Sequence, residues 1–116
     1  QRKQEFLNDT YLKSIHSWID VDQTVVEQVR IAIRLQTKIQ IDYIDEQKQI
    51  SHRQLWPFAL GYFNDKMLLA AWCELREDFR NFRLDRIQTL ILTEQVYPQF
   101  KRHLFQQWCQ KEFSNS

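Results

Sequence analysis

Phe58-Ala59-Leu60-Gly61-Tyr62-Phe63-Asn64-Asp65-Lys66-Met67-Leu68-Leu69-Ala70-Ala71-Trp72-Cys73 reads as two extended segments joined by a tight turn. Asn64 and Asp65 both tolerate positive φ, and the apolar run Met67 to Cys73 that follows suits a buried strand at the centre of a sheet. Upstream, Ile50 through His52 and Arg53 to Leu55 is extended, and Pro57 makes this an edge strand or one that bends there. Ile39, Ile41 and Tyr43 alternate with Gln40 and Asp42, the two-residue period of a half-buried strand, and Asp45 to Lys48 forms its turn. Before it, Val26, Val29 and Ile33 share one helical face behind Thr24-Val25-Val26-Glu27, a capping-box pattern, which predicts a helix over residues 25–36.

Outward from that centre the pattern loosens. Leu7, Tyr11, Ile15 and Trp18 recur at helical spacing, while Ile15, Ser17 and Ile19 suit a short strand equally, so the opening segment stands open between the two. Glu74 to Asn81 is too charged to be buried and reads as a surface connection. Phe82 to Asp85 and Ile87 to Leu92 resume strand character. After Pro98, Phe100, Leu104 and Trp108 return every four residues, as in a closing helix. Short strands in successive hairpins with helices at either end predict an α+β domain built on a small antiparallel β-barrel. The expected divisions are a linker or helical segment at 1–23, the barrel at 24–93 and a helical extension at 94–116.

The chain has 116 residues, 43% hydrophobic and 14% aromatic, which suits one modest core. The net charge of +1 leaves attraction for nucleic acid to local clusters. No apolar run is long enough to cross a bilayer, and Gln1-Arg2-Lys3-Gln4 is no signal peptide. Cys73 and Cys109 stand apart with no C-x-x-C spacing, fitting a reducing, cytoplasmic setting and no zinc site. The start, polar and without methionine, suggests a piece of a longer protein.

Gly61 is the sole glycine, which removes the P-loop and the dinucleotide fingerprint, since both bring several glycine amides onto phosphate. His16, His52 and His103 lie singly and no G-x-S-x-G elbow occurs, so neither metal nor nucleophilic chemistry is indicated; no enzyme and no cofactor are expected. Arg76, Arg80, Arg83 and Arg86, with Arg53 joining across the sheet, could form an anion-binding wall, guanidinium being the side chain that forks around phosphate or carboxylate. Glu77, Asp78 and Asp85 lie among them, and by charge pattern alone such a stretch is a solvated face with local ion pairs. His52, beside Arg53, could help hold an anion or simply face solvent. Tyr43, Trp56, Tyr62 and Trp72 could stack on bases or fill the core.

The segments Arg53-Gln54-Leu55-Trp56-Pro57-Phe58, Met67 to Cys73, and Arg76-Glu77-Asp78-Phe79-Arg80-Asn81-Phe82-Arg83-Leu84-Asp85-Arg86-Ile87 resemble, in order and spacing, the WYL-domain family of bacterial transcription regulators. The helix with Ala32-Ile33 and the strand Ile39 to Tyr43 extend the similarity over roughly residues 22–93. The resemblance implies an Sm-like, SH3-type barrel of about five strands. The Trp-Tyr-Leu triplet that names the family falls on Met67-Leu68-Leu69, which keeps only its last residue and loses an indole and a phenolic hydroxyl. Family domains sit behind a helix-turn-helix and are thought to bind effectors through a basic face. By resemblance that role falls to Arg53, Arg76, Arg80, Arg83 and Arg86, with His52, Tyr43 and Trp72 completing the candidate ligand-binding set.

These readings together predict an effector-sensing domain of a transcription regulator. It would take a nucleotide, single-stranded nucleic acid or other phosphate-bearing ligand and act on DNA through a separate helix-turn-helix head, expected upstream of Gln1. A homodimer is expected, with the apolar residues Phe100, Leu104, Phe105 and Trp108 of the closing helix either at a partner surface or packed back on the barrel. The rival reading is a constitutive protein–protein or dimerisation module whose arginines serve structural ion pairs.

Overall fold

The structure is a computed structural model and describes residues 22–114. The question of helix or strand for Leu7 to Ile19 lies outside the described residues. Helix α1 (Gln23–Leu35) is followed by strands β1 (Thr37–Ile44), β2 (Ile50–Phe63), β3 (Lys66–Cys73) and β4 (Asp78–Arg83). A 3-10 turn (Leu84–Arg86), strand β5 (Ile87–Val96) and helix α2 (Lys101–Ser114) complete the order. All strand pairs are antiparallel, in the spatial order β4-β3-β2-β1-β5. The chain is thus an α+β fold, a five-stranded sheet with two flanking helices.

Local chemistry explains most boundaries. Asp22 caps α1, its carboxylate accepting the Thr24 N–H at 2.9 Å. The capping-box reading of Thr24 and Glu27 is therefore corrected: the carboxylate two residues earlier takes the cap. Gln36 ends the helix in a left-handed conformation, φ 56°. Asn64 and Asp65 both adopt positive φ, 52° and 63°, between the paired residues Phe63 and Lys66, as a two-residue hairpin requires. Pro57, which cannot donate to a ladder, sits where the β2–β3 register shifts.

Two strand boundaries differ from the sequence reading. The surface connection spans only Glu74 to Glu77, because β4 begins at Asp78. β4 pairs on one side only, so its exposed Arg80 and Asn81 are compatible with a ladder, and charge on an edge strand also discourages further pairing. Leu84 and Asp85, read as strand, lie in the 3-10 turn.

The sheet is curled but open. β4 and β5 do not pair, yet the Tyr43 hydroxyl of β1 accepts the Arg83 N–H of β4 at 3.0 Å, and the Tyr43 ring meets Phe82 edge-on at 5.0 Å. Contact between strands that have two others between them requires a strongly bent sheet. Register shifts in the β1–β5 ladder and at Pro57 supply that bend.

Each face has its own core. On the concave face Val26, Val29 and Ala32 of α1 pack on Ile39, Ile41, Leu55, Met67, Leu69, Ala71, Cys73 and Phe82. On the other, Leu104 and Trp108 of α2 close over Phe58, Ala70, Tyr97 and Phe79. α2 is further held by reciprocal capping: Gln36 Oε1 accepts the Lys101 N–H at 2.9 Å, and Lys101 Nζ donates to the Ile33 carbonyl at 3.1 Å. One residue from each helix thus satisfies a backbone group that the other helix leaves open.

Candidate functional site

Side-chain alternation sorts the candidate residues onto faces. Arg53 pairs with Ile41, and Arg80 with Ala71; both partners belong to the concave core, so both arginines face that side. Arg53 is half-buried, Nε donating to Ser51 Oγ at 3.1 Å and Nη1 to Cys73 Sγ at 3.5 Å. Cys73 lies one step along β3 from Trp72 and two from Ala71, the partner of Arg80, so Arg53 and Arg80 flank one short stretch of β3. Arg76 is exposed in the turn just beyond it. No side-chain hydrogen bond or ion pair with another described residue engages Arg76, Arg80 or Arg86.

Arg83 differs. Its Nε and Nη2 close on Asp85 Oδ1 and Oδ2 at 3.0 and 2.6 Å. Hydrogen bonding to Arg83 holds the Asp85 carboxyl below its ordinary range and raises Arg83 in return. Arg83 also stands three residues from Arg80, about 10 Å along a strand, with Arg86 beyond it in the 3-10 turn.

The remaining candidates divide. Tyr43 is on the concave side, its hydroxyl taken by the Arg83 backbone. His52 is on the opposite face, its side chain 87% exposed and paired with Asp42. Trp72 also faces away from Arg53, packed at 6.0 Å from Trp56 and 5.1 Å from Phe79. Strand register therefore turns Arg53, Arg80 and Tyr43 to one face of the sheet, with Arg76 exposed in the turn after β3, and turns His52 and Trp72 to the other face.

Sequence reasoning missed the supports. Ser51, two residues back on the same strand, and Cys73, which only cross-strand register reveals, orient Arg53. Glu74 was likewise read as mere surface charge, yet it accepts from Trp56 Nε1 at 2.7 Å, Gln54 Nε2 at 3.2 Å and Lys38 Nζ at 2.9 Å. Burial alone would raise its carboxyl; the three donors outweigh this and hold it low. His52, Asp42, Gln40, Gln54, Thr89 and Ile91 line a shallow depression of about 430 Å³ on the uncovered outer face. Among the described residues no cluster of three or more His, Cys, Asp or Glu could hold a metal, and no helix is long and apolar enough to cross a membrane.

A family model described as the WYL domain matches residues 24–92, and the chain belongs to that family. Among solved structures it is similar in fold to proteasome accessory factor B/C (PafBC) of Arthrobacter aurescens, with a TM-score of 0.61 and 24% identity. The match covers 64% of this chain and 12% of that one, so it concerns a small part of the longer protein. No curated protein matches.

Proposed function

We propose that the chain is the regulatory, effector-sensing domain of a transcription regulator, and that a phosphate-bearing ligand is received by Arg53, Arg80 and Arg76. Family membership supports the regulatory role. The observation that carries the ligand reading is the placement of Arg53 and Arg80 on one concave face with, among the described residues, no carboxylate bonded to either guanidinium. An arginine oriented by a hydroxyl and a thiol keeps donors for a planar anion, whereas one clasped by aspartate has spent them. Met67 and Leu69, at two positions of the family triplet, are 5% and 0% exposed. They build the floor of the concave side and offer no polar handle, so recognition rests on the arginines.

In this reading the ligand biases one of two arrangements of a larger, dimeric regulator in the cytoplasm, and a DNA-binding head elsewhere in the protein responds. Such coupling requires different affinities for the two arrangements. The rival, a constitutive interaction module with structural arginines, is favoured at one position, Arg83, which is paired internally.

The test is titration of the chain with short single-stranded oligonucleotides and with nucleotides at two salt concentrations, followed by fluorescence anisotropy. Saturable, salt-sensitive binding that disappears in the Arg53→Ala plus Arg80→Ala variant, with its thermal transition kept, supports the sensor. Silence across the panel from a folded protein rejects it in favour of the interaction module.

A further inference from the structure

The two edges of the sheet are guarded differently. β4 carries Asp78, Arg80 and Arg83 within Asp78–Arg83, and charge at that density discourages a further strand. β5 is longer, Ile87–Val96, contains no proline and has Glu94 as its single charge. It pairs with β1 alone among the described strands, so its outer row of backbone N–H and C=O groups has no ladder partner among the described residues. Between the two register shifts of the β1–β5 ladder, Thr89 to Leu92 run in unbroken register and present a regular edge. Ile91, within that stretch, stands opposite Gln40 on the outer face and is 58% exposed.

Thr89-Leu90-Ile91-Leu92-Thr93 reads the same in both directions about Ile91. We infer that β5 pairs antiparallel with β5 of a second copy of this chain, about a two-fold axis at Ile91, so that the two sheets join into one.

An antiparallel strand meeting itself across such an axis sets Ile91 opposite Ile91, Leu90 opposite Leu92 and Thr89 opposite Thr93. Matched apolar and hydroxyl pairs of this kind are what stabilise a ladder. Gln88 falls opposite Glu94, so the single charge meets an amide and never its own copy. Outer face continues into outer face and concave into concave, as side-chain alternation requires of one continuous sheet. The nearest other registers that keep the faces slip by two residues; they set Ile91 opposite a threonine and lose the match. Pairing β5 to β4 of another copy would be head-to-tail instead, and would bring this strand against the charged edge.

Thr89 and Ile91 also line the shallow outer-face depression beside the Asp42–His52 pair, so the joint sets the depressions of the two copies side by side. The interface uses none of Arg53, Arg76 and Arg80. It gives the proposed dimer a location and stands or falls apart from the anion reading.

The experiment uses the full chain carrying Cys109→Ser, with a new cysteine introduced by Ile91→Cys or by Thr89→Cys, both exposed positions. Opposed residues of an antiparallel ladder have Cα atoms about 4.5–5.5 Å apart, within disulfide reach. The two copies of residue 89 would lie four residues out of register, about 13 Å apart. Under mild oxidation Ile91→Cys should therefore form a covalent dimer many-fold faster than Thr89→Cys, and Thr89→Cys plus Thr93→Cys should cross-link again. Sedimentation of the wild-type chain should show a concentration-dependent dimer that Ile91→Lys, with its circular dichroism unchanged, converts to monomer. Equal cross-linking rates at 89 and 91, or a wild-type chain that is monomeric throughout the concentration series, overturn the inference. A dimer that Ile91→Lys leaves intact overturns it as well and assigns self-association to another surface. Each of these results leaves the oligonucleotide titration of Arg53 and Arg80 free to succeed.

Discussion

Arg83 and Asp85, two residues apart, are joined by two parallel hydrogen bonds of 3.0 and 2.6 Å, while Arg80 on the same strand makes no such bond to a carboxylate among the described residues. One arginine is a structural clasp at the turn into β5, and the other is exposed on the edge strand. Replacing Arg83 by alanine should therefore act on stability. The pair is part-exposed, with side chains 32% and 16% accessible, so screening limits the cost to about 1 kcal/mol at neutral pH. Because Asp85 has a depressed folded pKa, the contribution is complete above the unfolded carboxylate value and is lost as pH falls through the lower folded one. Urea denaturation should show wild type and Arg83→Ala separated at neutral pH and converging in acid; a gap independent of pH would mean that the clasp is not its source.

Arg53→Lys separates charge from geometry. The guanidinium reaches Ser51 with Nε and Cys73 with Nη1, a bifurcated reach that a lysine ammonium on its flexible stem cannot reproduce. If this orientation serves anion recognition, the charge-conserving change should cost about 1.5–3 kcal/mol of binding, roughly tenfold to a hundredfold in Kd. Anisotropy titrations with the same oligonucleotides check it. An unchanged Kd would show that only positive charge is used at this position.

The contrast between those two arginines bears on what the sequence could disclose. Arg80 and Arg83 are three apart, and on a strand an odd spacing sends side chains to opposite faces. That inference was within reach, but the charge of Arg76-Glu77-Asp78-Phe79-Arg80-Asn81 disguised an edge strand as a connection. Strong local periods were readable without help: α1 from Val26, Val29 and Ile33, β1 from Ile39, Ile41 and Tyr43, and the hairpin from Asn64-Asp65. The bonds of Arg53 to Cys73 and of Trp56 to Glu74 join residues about twenty positions apart. They depend on which strand lies beside which, and no local pattern encodes that. The same holds for His52 and Trp72, neighbours of Arg53 and Cys73 in sequence that alternation turns to the other side of the sheet.

The turn at Asn64-Asp65 gives a sharp test of backbone preference. Both residues have positive φ, a region costing an ordinary L-residue about 1–2 kcal/mol and glycine nothing. Asp65→Gly creates the Asn-Gly pair preferred in this turn and should stabilise the domain by a few tenths of a kcal/mol, whereas Asp65→Val should destabilise it by about 1–2 kcal/mol. Thermal unfolding of the two variants reads the difference directly. Equal transitions would place the hairpin outside the cooperative unit.

Tyr97 offers the strongest link between burial and titration. It is 2% exposed, donates its hydroxyl to the Pro57 carbonyl at 2.8 Å and stacks on Trp56 at 5.9 Å. Pro57 sits at the register shift of β2, and Tyr97→Phe, which removes this buried hydrogen bond, should cost about 1–3 kcal/mol. Burial pushes the phenol well above the ordinary tyrosine value. A raised pKa means the stabilisation is whole below the unfolded value near 10 and is lost as pH climbs from there through the folded one. Ultraviolet titration should accordingly show a tyrosine that ionises only as the protein unfolds in alkali, and that late step should be missing from the Tyr97→Phe variant. A spectrum in which the variant and the wild type titrate alike would show that the hydroxyl reaches solvent and that the bond to Pro57 does not hold in solution.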